Sequence, residues 1–176
     1  MGVGALPAVT HFELNSVCVG DAGTSAFAAA LDRGALPRLK QLFLRNAAIG
    51  DAGLLALAPA LRRRPALARL YLENNPFGDE GLAALVAPRP QGLRRRAALA
   101  KLKQLNLDQS QITDDGCAHL ASRLRSGALP ALRRLGLRPI SASDAAIDAV
   151  FEAFLKARAG PFTTLKAHPG LQQFLH

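Results

Sequence analysis

The chain is 176 residues long, enough for one domain with a substantial core. Hydrophobic residues form 49% of it and aromatics only 5%, a balance that argues against disorder and predicts a core of Leu and Ala in small repeated units. The 22 Lys and Arg against 13 Asp and Glu leave a charge of +9, which favours acidic partners in general and selects none.

Two cysteines, Cys18 and Cys117, are too few for a disulfide framework or a closed zinc site, and read as reduced thiols of a cytoplasmic or nuclear protein. The opening residues 1–7 carry no basic segment and no apolar run of signal-peptide length, and Leu6 stands where a myristoylation signal wants Ser or Thr. No apolar run is long enough to span a bilayer, so no membrane partner is expected.

One pattern recurs in chain order. The first unit, about 6–35, has Val9, Phe12 and Leu14, then Val19-Gly20-Asp21-Ala22-Gly23. The second, about 36–65, has Leu39, Leu42 and Leu44, then Ile49-Gly50-Asp51-Ala52-Gly53. The third, about 66–98, has Leu67, Leu70, Leu72, Asn75 and Phe77, then Gly78-Asp79-Glu80-Gly81. The fourth, about 99–128, has Leu102, Leu105 and Leu107, then Ile112-Thr113-Asp114-Asp115-Gly116; the fifth, about 129–160, has Leu132, Leu135 and Leu137, then Ser143-Asp144-Ala145-Ala146. With Phe12, Leu42, Leu70, Leu105 and Leu135 as equivalents, the spacings are 30, 28, 35 and 30 residues. Residues 161–176 repeat the pattern weakly through Phe162, Leu165 and Ala167, as a decayed sixth unit or a C-terminal cap.

Repetition at this period predicts a solenoid over residues 5–160. In Leu-x-Leu the period of two turns both leucines to one face of a short strand. The Gly-Asp-x-Gly segment then turns the chain, its glycines tolerating the backbone angles and its Asp placed to cap the helix that follows. Helical spacing comes next, as in Leu54, Leu57, Ala58 and Leu61, or Cys117, Leu120, Ala121 and Leu124. Gly34, Gly127 and Gly160 stand where helices close. Each unit has an apolar side that only its neighbours can bury, which gives a parallel concave sheet and convex helices.

The pairing of Leu-x-x-Leu-x-Leu with Gly-Asp-x-Gly resembles the ribonuclease-inhibitor-like leucine-rich repeat. That type occurs in the receptor ends of NACHT-type immune proteins and in the activator of the Ran GTPase. The resemblance implies an α/β fold, a right-handed solenoid of about five units bent into a horseshoe arc, and a binding scaffold rather than an enzyme. It also raises a GTPase-activating role, for which no motif maps onto this chain. The chain departs from the type where Asn or Cys is usual: only Asn75 fits, against Val17, Ala47, Ser110 and Ile140, so the ladder of buried side-chain bonds should be incomplete. Pro59 should kink the second helix, and Pro88 and Pro90 should stop the third near Ala87, leaving Arg89 to Ala97 as a loop or short helix. Ends without polar caps suggest a longer array or self-association.

Phosphate-loop, nucleophile-elbow and His-Glu-x-x-His motifs are missing, and His11, His119, His168 and His176 fall in different units or in the tail. No catalytic residue, metal or cofactor is therefore expected, and Cys117 reads as a core residue. Arginines gather at Arg62-Arg63-Arg64, Arg94-Arg95-Arg96, Arg123, Arg125 and Arg133-Arg134. They could line one edge for an acidic ligand, but aromatic residues for stacking nucleic acid are not among them. The stronger candidate is the concave face: Glu13 and Asn15; Gln41, Phe43 and Arg45; Arg69, Tyr71 and Glu73; Gln104, Asn106 and Asp108; Arg134 and Arg138. Phe43 and Tyr71, equivalent in adjacent strands, should lie side by side and exposed, an aromatic anchor with charged neighbours suited to binding another protein.

Overall fold

A computed structural model describes residues 6, 8–88 and 99–158. Five strands alternate with five helices: β1 (His11–Glu13), α1 (Gly20–Asp32), β2 (Gln41–Phe43), α2 (Asp51–Arg62), β3 (Arg69–Tyr71), α3 (Asp79–Val86), β4 (Gln104–Asn106), α4 (Asp114–Arg125), β5 (Arg134–Gly136) and α5 (Asp144–Arg158). The strands form one sheet in chain order, every pair parallel, with one helix in each crossover among the described residues. Phe12, Leu42, Leu70, Leu105 and Leu135 share one register row, the row their sequence spacing predicts. The architecture is an α/β solenoid.

In each three-residue strand the middle side chain points inward. Leu42 and Leu70 are buried completely, together with the leucines that flank them, Leu39, Leu44, Leu67 and Leu72. Helix residues Leu54, Leu57, Ala58 and Leu61 close the core from the other side in the second unit, and Cys117, Leu120, Ala121 and Leu124 do so in the fourth. Burial, with Asp114 and Asp79 adding to it, pushes the Cys117 thiol up to about 11, as fits a packed side chain. Gly34 (φ 99°) and Gly127 (φ 77°) follow α1 and α4 in left-handed conformations. Helix α3 ends at Val86, just before Ala87 and Pro88. The expectations for Gly160, for Arg89 to Ala97 and for residues 161–176 lie outside the described residues.

The aspartates correct the sequence reading. They cap helices, but the helices of the next unit rather than their own. Asp21 Oδ1 accepts from the backbone N–H groups of Gly50 (2.7 Å) and Gly53 (2.9 Å). Asp51 Oδ1 accepts in the same way from Gly78 (2.8 Å) and Gly81 (2.7 Å). Asp79 receives the N–H (2.9 Å) and hydroxyl (2.6 Å) of Thr113, and Asp114 those of Ser143 (2.6 and 2.9 Å). Each carboxylate thus joins two consecutive units while satisfying orphan donors at a helix start.

That reach explains the second glycine of the turns in units two to four. A Cβ at Gly53, Gly81 or Gly116 would stand 2.6, 2.7 or 2.1 Å from the incoming carboxylate oxygen. Glycine is needed there for close approach, not for turn angles: Gly50 and Gly78 have ordinary negative φ (−93° and −117°), and of the turn glycines only Gly20 is left-handed.

Arginines do the complementary work at the opposite helix ends. Arg62 Nη2 donates to Ala84 O in the next unit (2.6 Å), Arg64 donates to Leu31 O in the preceding one, and Arg123 Nε donates to Val86 O (3.1 Å). Arg63 grips Asp32 with two bonds of 3.1 and 2.9 Å. Much of the arginine-rich edge is therefore a set of helix C-terminal caps between units. The side-chain ladder is incomplete, as the sequence implies. Asn75 Oδ1 takes the N–H groups of Ala47 and Ile49, and its Nδ2 donates to Leu44, Leu72 and Glu73 carbonyls. Ser110 replaces this with one bond to Leu107 O at 2.8 Å.

Candidate protein-binding face

The alternation that buries the leucines turns the flanking strand residues to the concave face in register rows. One row is His11, Gln41, Arg69, Gln104 and Arg134; the next is Glu13, Phe43, Tyr71, Asn106 and Gly136. A third runs two residues further on, through Asn15, Arg45, Glu73, Asp108 and Arg138.

Units two and three assemble the densest group. The Phe43 and Tyr71 rings stack with centroids 4.6 Å apart and planes 8° from parallel. Arg45 lies across both, its Cζ 4.6 Å from the Tyr71 centroid and 5.4 Å from that of Phe43. Glu73 holds this guanidinium from the side, Nε to Oε1 at 2.5 Å. The rings are half-buried rather than fully exposed, because each covers one face of the other and Arg45 covers their rim. A cation against a stacked aromatic pair, held by a carboxylate, forms one joined aromatic and charged group. Beside it runs a polar chain: Arg69 Nη1 donates to Gln41 Oε1 at 3.1 Å, and Gln41 Nε2 contacts His11 Nε2.

The other predicted residues are placed differently. Asn15 bridges two units, donating to Glu13 in its own and accepting from Arg45 N of the next at 3.0 Å. Asn106 accepts from Asp108 N (3.1 Å), and Asp108 accepts from Arg138 N (2.7 Å). Arg138 also pairs with Asp148 (3.1 Å) and Asp144 (3.4 Å). Gly136 interrupts the middle row, and a Cβ there would lie 2.2 Å from Asn106 Oδ1. Gln104 and Arg134 stay in the first row beside Arg69. The thirteen candidates thus divide into an aromatic-centred group on units one to three and a polar group on units four and five.

A leucine-rich-repeat family model matches residues 37–58, 67–86 and 98–121. Among solved structures, the leiomodin-1 actin-binding site 2 aligns with a TM-score of 0.65 at 18% identity, over 86% of this chain and 82% of that one. The tropomodulin C-terminal domain of Caenorhabditis elegans gives 0.64 at 20%, over 85% and 84%. The chain is a leucine-rich-repeat protein. No curated protein matches the sequence.

Within this leucine-rich-repeat protein, two polar features escaped the sequence reading. One is that the caps act between units, Asp on the next unit's helix start and Arg on a neighbouring unit's helix end. The other is a row one residue beyond Arg45 and Glu73, where Asn46 and Asn74 meet through Asn74 Nδ2 and Asn46 Oδ1 at 3.1 Å. The signal for both was equivalence of position between units. Among the described residues no three His, Cys, Asp or Glu side chains could hold a metal, and no helix is long and apolar enough to cross a membrane.

Proposed function

We propose that this leucine-rich-repeat protein is an interaction module that binds another protein on the concave face of units one to three. The Phe43–Tyr71 stack under Arg45 carries the reading. It offers flat apolar area already fixed in one geometry, so a partner loses little side-chain entropy in docking against it. The charged and polar groups around it, Glu73, Gln41 and Arg69, supply a rim that can set orientation. The arginine edge is a weaker alternative, since Arg62, Arg64 and Arg123 already cap helices.

Cys18 and Cys117 belong to the first and fourth units and are both free thiols, which supports a reducing setting in the cytoplasm or nucleus. The ribonuclease-inhibitor-like subtype is supported by the strand, turn and full helix in each unit. The solved domain of leiomodin-1 is an actin-binding site, so actin is the first candidate partner to try.

Phe43→Ala with Tyr71→Ala should abolish partner capture while leaving the melting temperature and circular dichroism close to wild type, because both side chains sit outside the leucine core. Capture from cell extract, and co-sedimentation with actin, would be compared for the two proteins. An unchanged set of bound proteins would exclude this face.

A further inference from the structure

The loops that follow the strands enclose a groove of about 410 Å³ along the edge of the sheet, next to the aromatic face. Buried Asn75 and Ser110 form its floor, their side chains bonded to backbone. Its rim repeats with the units: Ser16, Asn46, Asn74 and Gln109 each stand four residues after Phe12, Leu42, Leu70 and Leu105. All four are exposed and left-handed, with φ of 56°, 49°, 56° and 55°. Their backbone N–H groups are engaged with the carbonyls of Arg45, Glu73, Asp108 and Pro139. The backbone is thus fixed, and the side chains are the groups left to face a ligand.

We propose that this groove binds an extended polypeptide segment of the partner through its main-chain groups. The bond from Asn74 to Asn46 leaves the Asn46 amide with free donors and the Asn74 amide with a free acceptor. A peptide backbone presents one N–H and one C=O per residue, so a neutral row offering both roles complements it. Among the described residues no charged side chain lines the groove, which disfavours phosphate-bearing ligands. At about 4.8 Å between strands, four units span about 14 Å, the reach of about four extended residues. The inference rests on the reading of the chain as a protein-binding module, but its residues are not those of the aromatic platform.

Cys18 is exposed in the groove while Cys117 is buried, so a thiol reagent near neutral pH reports on the groove alone. Short peptides would be selected from a random displayed library on the wild-type protein, in the presence of excess Asn46→Gly/Asn74→Gly protein. Glycine accommodates the left-handed backbone and removes the amide-bearing side chains. The selected peptides should bind wild type about tenfold or more tightly than the double variant. They should also slow alkylation of Cys18, fail to bind protein already carrying a bulky maleimide there, and bind Phe43→Ala/Tyr71→Ala protein unchanged. Failure to select any peptide that distinguishes wild type from the glycine variant would overturn the proposal, as would peptides that leave the Cys18 alkylation rate unaltered. Peptides that lose binding to the aromatic variant instead would overturn it too, while supporting the concave face.

Discussion

Asn75 joins two units with a single buried side chain, accepting from two backbone donors and donating to three carbonyls. Asn75→Ala would leave those buried peptide groups without partners, at about 1 kcal/mol or more for each of the better bonds and about 3 kcal/mol in all. Urea unfolding should show it as a lower midpoint at unchanged slope. Gly81→Ala tests a different residue-scale point. Its new Cβ would collide with Asp51 Oδ1, destabilising the fold by about 1–3 kcal/mol. Much of that loss should vanish in an Asp51→Ala background, and a double-mutant cycle with no coupling would refute the close-approach explanation. At this scale the sequence was only half informative. The constant offset of Asp21, Asp51, Asp79 and Asp114 within their units announced a cap, but stacking in register also sets each carboxylate beside the start of the next helix, a neighbour that the position within one unit does not name. Ala146 marks the difference, since there the N–H turns to Ser143 Oγ at 3.3 Å instead.

Between elements, Asp114 at the start of α4 is tied to Ser143, just before α5. The Ser143 backbone N–H, and then its hydroxyl, hold this carboxyl below its ordinary value. A carboxylate lowered in the folded state stabilises the fold above about pH 4 and loses that contribution as pH falls through its folded value. Hydrogen exchange at stepwise lower pH should therefore show α5 loosening before α2, and Asp114→Asn should remove that early phase. Exchange that accelerates evenly over all five units would contradict it. Pro59 lies inside helix α2, which continues through it from Asp51 to Arg62. The bond Pro59 forgoes would have gone to the Leu55 carbonyl, and both residues lie on the exposed side of the helix, where water can serve that carbonyl.

For the whole molecule, stability is a sum of units and of the joints between them, because each apolar side is covered by its neighbours. The solenoid and its register were legible in advance because alternate leucines admit one inward face, and units of similar length keep equivalent residues in phase. The Phe43–Tyr71 pair was legible for the same reason. Its half-burial under Arg45 was not, since a side chain's rotamer depends on contacts that spacing does not encode. The same limit hid the division of the concave residues into two groups, which follows from Gly136 and from Arg138 turning to Asp144 and Asp148. The central claim is that the strands, not the helices, present the binding surface. Hydrogen exchange measured with and without the partner captured by the wild-type protein tests it directly. Protection should rise in peptides covering β2, β3 and the residues just after them, with the outer faces of α2 and α3 unchanged; protection confined to the helices, with β2 and β3 unaffected, would contradict it.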